Sequence, residues 1–169
     1  ALSFTNPNPD ERCGPKSTTS TFEVGLKWDA FSQIGALLKS DLPSKPLAGF
    51  KVQYLYMTSH GSEVMAYANA VHNHVSLADV KPGYDGYLND IEENPAKINR
   101  CAAPGRDLLA GDPRQIVENV NVPVIRVIAQ GDLRHQNTVN NRRPDSDAPG
   151  DRFRLYEVAA APHMEATYY

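Results

Sequence analysis

Three residues spaced widely along the chain have the side-chain types of a nucleophilic catalyst: Ser59, Asp132 and His163. A serine hydroxyl attacks a carbonyl group only when an imidazole takes its proton and a carboxylate holds that imidazole in the right tautomer. The order along the chain is serine, acid, histidine, which one group of hydrolytic triads uses. The sequence thus predicts Ser59 as the nucleophile, His163 as the base and Asp132 as the residue that orients His163. The backbone N–H of His60 is predicted to form half of an oxyanion hole.

The elements around these residues are expected to bring them to one edge of a sheet. Runs of β-branched and aromatic residues predict strands at 52–58, 122–129 and 153–158, and each candidate residue follows one of these strands. Apolar residues at helical spacing predict helices at 28–39 and from Ser62 onward. This alternation predicts an α/β fold with a mostly parallel sheet and helices on both faces. Such sheets bind ligands beyond the carboxyl ends of their strands.

Each candidate also has a purely structural interpretation. A serine between a strand and a helix is a common helix cap, and Ser62 is an equally good cap as well as an alternative nucleophile. Asp132 after a glycine is a common turn pair. A single histidine after a strand is often only a polar turn residue. The joint placement of all three at strand ends is what favours the triad.

The size and charge of the chain exclude several classes of protein. With 169 residues, 18.6 kDa and a formal charge of -3, it is predicted to be a single α/β domain over 1–169, with 1–21 as an extended arm or loop. The charge offers no basic surface for nucleic acid. No run of about 18 apolar residues predicts a membrane span. The first residue is Ala1, which fits a processed terminus or a piece of a longer polypeptide. Secreted, periplasmic and cytoplasmic locations all stay open.

The sequence implies neither a metal nor an organic cofactor. Its two cysteines, Cys13 and Cys101, are far apart and lie in no zinc-type cluster, so a disulfide and two free thiols both stay open. A redox or metal protein has almost no support from this pattern. The polar segment 133–151 is long for a loop of a compact domain, and its RRPDSD stretch (142–147) is expected to form structural salt bridges rather than to shape a site.

Several blocks of the sequence together resemble the carboxy-terminal part of a family of bacterial α/β-hydrolase-domain proteins assigned as esterases. The last block is the most specific, because a run of that length rarely coincides by chance. The blocks are WDAFSQIGALLKS (28–40), VQYLYMT (52–58), YANAV (67–71), YDGYL (84–88), INRCA (98–102), NVPVIRV (121–127) and RRPDSD through RFRLYEVAAAPHM (142–164). The resemblance implies an α/β-hydrolase fold and a small-molecule carboxylic ester as the substrate.

The family pattern and this chain differ at the turn that carries the nucleophile. The family has approximately T-G-x-S-Q-[ST]-G, whereas this chain has YMTSHGSEV, without the glycine two residues before Ser59. If Thr58 is aligned with the family threonine without a gap, Gly61 takes the nucleophile position and the site is inactive. His163 matches the family histidine. The family tends to have an acid where Gln130 stands, so Asp132 is left to orient the imidazole.

Members of the family are longer and have an upstream half that supplies the first strands. The resemblance therefore implies an incomplete sheet with an exposed edge, which another chain or a second copy is expected to complete. Two functions stay open from the sequence. The chain is a serine esterase, or it is a catalytically silent binding or assembly protein on the same scaffold, including a fragment that needs a partner chain.

Overall fold

The computed structural model describes residues 26–61, 63–74, 83–90, 113–135, 138–139 and 142–163. A π-helical turn, Ala70–His74, continues the second helix, and short 3₁₀ turns cover Pro113–Gln115 and Gln130–Arg134. The helices and strands are α1 (Leu26–Lys39), β1 (Tyr56–His60), α2 (Glu63–Asn69), β2 (Gly86–Asp90), β3 (Val124–Ala129), β4 (Ser146–Ala148) and β5 (Asp151–Val158).

The five strands form one sheet in the order β1-β2-β3-β5-β4. The pairs β1–β2, β2–β3 and β3–β5 are parallel, and β4 pairs with β5 in the antiparallel direction. The prediction of an α/β fold with a mostly parallel sheet is therefore confirmed. Because the four parallel strands run in one direction, the segments that follow β1, β2, β3 and β5 all begin at the same edge.

The core lies between the sheet and the two helices. Tyr67 of α2 is fully buried, and its ring lies 6.2 Å from that of Trp28 in α1 and 6.0 Å from that of Tyr87 in β2. Its hydroxyl is 2.7 Å from that of Ser32 in α1, so the buried phenol has a polar partner. Gly35 of α1 lies against Tyr84, where a Cβ would come within 3.0 Å of the ring. Both described helices therefore belong to one core on the same side of the sheet, and the predicted helices on its other face stay a prediction.

The opposite face of the sheet is exposed. Along a strand, side chains alternate between the two faces. Tyr87 and Asn89 of β2 are buried against the helices, whereas Leu88 between them is 38% exposed. In β3, Ile125 is likewise 37% exposed between two buried neighbours. Among the described residues, no helix covers this second face, which we call the open face.

Two strand predictions need correction. The first strand is Tyr56–His60, so it starts four residues later than the predicted 52–58 and includes Ser59 instead of ending before it. The strand β2, Gly86–Asp90, is one that the sequence patterns did not predict. Gly86 makes a close approach in β2, since a Cβ there would lie 3.1 Å from the Pro123 carbonyl oxygen and from the Tyr56 ring.

The RRPDSD segment makes the structural salt bridges that the sequence predicted. Arg143 donates two hydrogen bonds to the Asp151 carboxylate at 2.7 and 2.9 Å, and its guanidinium lies 3.9 Å from the centre of the Phe153 ring. Burial raises the pKa of Asp151, but the hydrogen bonds from Arg143 and the Asn119 N–H outweigh it and bring the pKa below its ordinary value. These contacts fix the hairpin of β4 and β5 at the edge of the sheet.

Two sequence expectations concern residues outside the described ranges: the arm at 1–21 and the state of the two cysteines, Cys13 and Cys101. For the part of the chain that is described, no helix is long and apolar enough to cross a membrane.

A partly buried histidine makes the stability of this core depend on pH. His72 follows α2, and its Nε2 lies 3.0 Å from the Tyr87 hydroxyl. Burial lowers the pKa of His72 to about 4. In the unfolded chain a histidine has a pKa of about 6.5, so between these values the unfolded state binds more protons than the folded state. The stabilisation is complete above pH 6.5 and is lost as the pH falls toward 4.

We expect that lowering the pH through this window costs the wild type about 1–2 kcal/mol through His72, after allowance for its partial exposure. Urea unfolding at a series of pH values measures this loss. His72→Gln should flatten the dependence by the same amount. A variant at position 72 with an unchanged pH dependence would contradict the assignment.

Candidate active site

A buried hydrogen bond joins two of the predicted site residues. Asp132 lies in the 3₁₀ turn directly after β3 and is fully buried, and His163 follows β5 and is 7% exposed. The Nδ1 atom of His163 is hydrogen-bonded to Oδ1 of Asp132. The other carboxylate oxygen accepts the N–H of Ala129 at 2.7 Å. With the proton of a neutral imidazole on Nδ1, the lone pair is on Nε2, which is the arrangement a general base needs.

The segment that carries His163 is attached to the segment that carries Asp132 by backbone and side-chain contacts. The N–H of Gly131 donates to the carbonyl oxygen of Ala161 at 3.0 Å. The side-chain oxygen of Gln130 accepts the N–H of Ala160 at 2.7 Å. Gln130 therefore holds the loop that carries His163 against the turn that carries Asp132.

Gly131 allows the two segments to approach this closely. A Cβ at position 131 would come within 2.3 Å of the backbone nitrogen of His163 and 3.0 Å of its Cα. Both obstructing atoms belong to the backbone, so the histidine loop would have to move as a unit. The glycine is therefore a steric requirement for the hydrogen bond between Asp132 and His163.

A second histidine lies beside the pair. The ring of His135 is centred 5.4 Å from the ring of His163, and Arg134 donates from Nε to Nε2 of His135 at 3.2 Å. The sequence patterns did not identify His135 as a residue near the site. Its position three residues after Asp132, at the end of the same 3₁₀ turn, was the available signal for its proximity to the site.

Ser59 has its hydroxyl engaged at the end of β1. Its Oγ accepts the N–H of Val64 in the first turn of α2 at 3.1 Å. Its single proton can go to Oδ1 of Asn89 at 3.0 Å or to the Gly61 carbonyl oxygen at 3.2 Å. Within the described residues, His163 is not a partner of Ser59. These contacts support the interpretation of Ser59 as the cap of α2. Its role as a nucleophile stays a prediction.

The sheet register places Ser59 farther from the carboxyl edge of the sheet than the end of β3, which Asp132 follows. Ser59 pairs with Asn89, which pairs with Arg126, so Ser59 is at the level of a residue three before the end of β3. Three residues of strand correspond to roughly 10 Å, and β1 is two strands, again roughly 10 Å, from β3. A working triad with Ser59 thus requires the His163 ring to extend toward β1.

The turn between β1 and α2 is centred on Gly61. Its φ is 111°, a conformation that glycine tolerates and other residues rarely adopt. Its N–H donates to the carbonyl oxygen of Asp90 at 2.8 Å, which ties the turn to β2. Ser62, the alternative nucleophile, comes next in the chain and lies outside the described residues. A sharp turn of this kind between strand and helix is the feature that presents a nucleophile in serine hydrolases.

His60 comes directly before this turn at the end of β1. Its side chain is exposed, and its Nδ1 lies 3.3 Å from Oδ2 of Asp90 on the neighbouring strand. The predicted contribution of its backbone N–H to an oxyanion hole stays a prediction. In the described ranges, no cluster of three or more His, Cys, Asp or Glu side chains is arranged to hold a metal ion.

The comparison with protein-family models gives a match over nearly the whole chain. A model described as an alpha/beta hydrolase domain matches residues 3–168, which is nearly the whole chain. Searches of the curated proteins and of the solved structures found no match.

The close approach at Gly131 leads to a prediction that needs no knowledge of activity. Gly131→Ala should displace the histidine loop and break the hydrogen bond between His163 and Asp132. We expect a loss of about 1–3 kcal/mol in the free energy of unfolding, since overpacking a close contact costs this much. A downfield imidazole N–H resonance, which reports the bond in proton NMR spectra, should disappear.

Ala160→Gly is the matched control in the same loop. Ala160 has a φ of 59°, which an alanine adopts at a cost, so glycine should be tolerated there and the resonance should remain. An unchanged resonance in Gly131→Ala would show that the loop does not depend on the glycine.

Proposed function

The chain belongs to the alpha/beta hydrolase domain family, and from this premise we propose that it is a serine hydrolase that cleaves carboxylic esters. The observation that carries the proposal is the buried hydrogen bond between Asp132 and His163. Burying a carboxylate beside an imidazole is costly unless both are hydrogen-bonded. A turn with only a structural role has little need for such a buried pair. The pair lies at the carboxyl edge of the sheet, where ligands bind in this type of fold.

The proposed reaction has two steps. The serine Oγ bonds to the ester carbonyl carbon while Nε2 of His163 takes the hydroxyl proton. The tetrahedral intermediate then collapses, the bond to the alcohol oxygen breaks, and His163 returns the proton to the leaving alcohol. A water molecule repeats the sequence on the acyl-enzyme and releases the acid. Asp132 keeps the Nδ1 proton in place and stabilises the imidazolium that forms in each step.

Two serines compete for the role of nucleophile. For attack, Ser59 must give up its hydrogen bond to Asn89 and turn its proton toward His163. Ser62 follows Gly61, the residue with the sharp-turn conformation. In either case the N–H groups around the start of α2, including that of His60 for Ser59, are proposed to face the developing oxyanion.

Labelling with a fluorophosphonate probe tests the proposal. The probe should form one adduct, located by peptide mass spectrometry, on Ser59 or Ser62. Replacing the labelled serine by alanine should abolish the adduct, whereas replacing the other serine should leave it. His163→Ala should reduce the labelling rate by at least about a hundredfold, since general-base help contributes roughly 10²–10⁴-fold.

The outcome of this labelling separates the two functions that the sequence left open. Folded wild-type protein that takes up no probe would overturn the serine-hydrolase proposal. Such a result would favour a catalytically silent scaffold, in which Ser59 acts as the cap of α2.

Asp132→Asn tests the acid independently of the nucleophile. The Asn oxygen can still accept the Ala129 N–H, but its amide then presents N–H to His163, and the ring changes to the tautomer with the proton on Nε2. We expect kcat for a short-chain aryl ester to fall roughly 10³–10⁴-fold, with KM within a few-fold of the wild-type value.

Asp90→Asn is the matched control, because Asp90 also contacts a histidine, the exposed His60. This variant should retain kcat within a few-fold. An equal loss in the two variants would mean that Asp132 has no special place in the reaction.

A further inference from the structure

One short turn supplies two side chains to the surroundings of His163. The 3₁₀ turn covers Gln130–Arg134, and His135 is the cap at its carboxyl end. A 3₁₀ helix has three residues per turn, so side chains three positions apart lie on the same side of it. Asp132 and His135 have this spacing. Asp132 is hydrogen-bonded to the His163 ring, and the ring of His135 has its centre 5.4 Å from that ring. The acid and the second imidazole therefore approach His163 together.

The position of His135 is fixed by its backbone and by its ring. Its N–H donates to the carbonyl oxygen of Asp132 at 2.9 Å, and its own carbonyl oxygen accepts the N–H of Val139 at 3.3 Å. Arg134 donates from Nε to Nε2 of the ring at 3.2 Å. A ring nitrogen that accepts a hydrogen bond must carry a lone pair, so in this contact His135 is neutral and has its proton on Nδ1. An uncharged ring is thus held beside His163.

The hydrogen bond to Asp132 fixes only one atom of the His163 ring, Nδ1. The preferred directions around an sp² acceptor oxygen are broad, so this bond by itself lets the ring rock and swing Nε2 to the side. Aromatic rings whose centres are roughly 4.5–7 Å apart attract each other in tilted arrangements. The rings of His163 and His135 meet at 54° within this range. The ring of His135 therefore lies where it restricts the rocking of His163.

We propose that His135 is a positioning residue, whose ring limits the motion of the His163 imidazole and keeps Nε2 directed at the reacting groups. Its importance for the reaction rests on the proposed function, whereas the ordering of the His163 ring exists without any activity. The contribution comes from the flat ring of His135 and involves no proton transfer by it. Displacing a catalytic group by about 1 Å can cost a hundredfold in rate, so a restraint on Nε2 has a measurable effect.

NMR relaxation of the ring C–H bonds of His163 in the full chain tests the ordering. The order parameter should be that of a rigid group, about 0.85, in the wild type and should fall below about 0.6 in His135→Ala. His135→Phe should restore the wild-type value, because it keeps a flat ring that Arg134 can cover through a cation–π contact. The matched control, Leu133→Ala, truncates another half-buried side chain of the same turn but removes no ring. This control should leave the order parameter unchanged.

The rate of labelling by the fluorophosphonate probe tests whether this ordering matters for the reaction. His135→Ala should lower the rate about 10–100-fold, and His135→Phe should return it to within about threefold of the wild-type rate. With a short-chain aryl ester the loss should appear in kcat, with KM within a few-fold of the wild-type value, since His135 acts through His163. Circular dichroism checks that every variant is folded.

Four results would overturn the proposal. They are an order parameter that His135→Ala leaves unchanged, one that Leu133→Ala lowers equally, labelling of His135→Ala at the wild-type rate, and labelling of His135→Phe as slow as that of His135→Ala. The last result would assign the imidazole of His135 a chemical role of its own. A folded wild type that takes up no probe would overturn the proposed function instead, and the order parameters would then still decide whether His135 orders the ring of His163.

Discussion

Parallel strands cannot be joined by tight turns, so each connection must cross from one end of the sheet to the other. The right-handed twist of the chain allows essentially one hand for that crossing. In this protein β1, β2, β3 and β5 follow one another across the sheet in chain order. Right-handed crossovers then have two consequences. The segments after β1, β3 and β5 begin at one edge, where the candidate site is assembled. All the described connecting segments pack on one face, and among the described residues the other face has exposed side chains such as Leu88 and Ile125.

The hydrogen bond between Asp132 and His163 is the most constrained feature of that edge. A carboxylate with no exposed surface is tolerable only when its oxygens are bonded, and the Ala129 N–H and the imidazole meet that need. Gln130 and Gly131 hold the two segments together through contacts that involve no chemistry. Positioning of this kind on strand ends gives greater precision than a free loop would, and catalysis by an imidazole depends on such precision.

The turn between β1 and α2 shows how close a capping role and a catalytic role lie in this fold. A hydroxyl at this position is near the first N–H groups of a helix. These groups can donate hydrogen bonds to a capping side chain or to an oxyanion. In the structure the Ser59 hydroxyl serves α2 and Asn89. Gly61, with its positive φ, makes the turn that in serine hydrolases brings a nucleophile out of the backbone. The observed contacts thus show Ser59 capping α2, and a nucleophile at the same turn is what we propose.

The sequence by itself determined the α/β class, the run of β3 and the order of serine, acid and histidine, because these depend on local periodicity and on residue type. It also indicated the salt bridges of the RRPDSD segment. Only the tertiary structure decided that residues 86–90 form a strand, since Gly86 and Asn89 gain their places from neighbours about 30 residues away. The tertiary structure also decided that Ser59 lies in register with Arg126, two strands away, and that Leu88 is exposed. These properties follow from register and crossover hand, which arise from pairing between distant segments and leave no periodic pattern in the sequence.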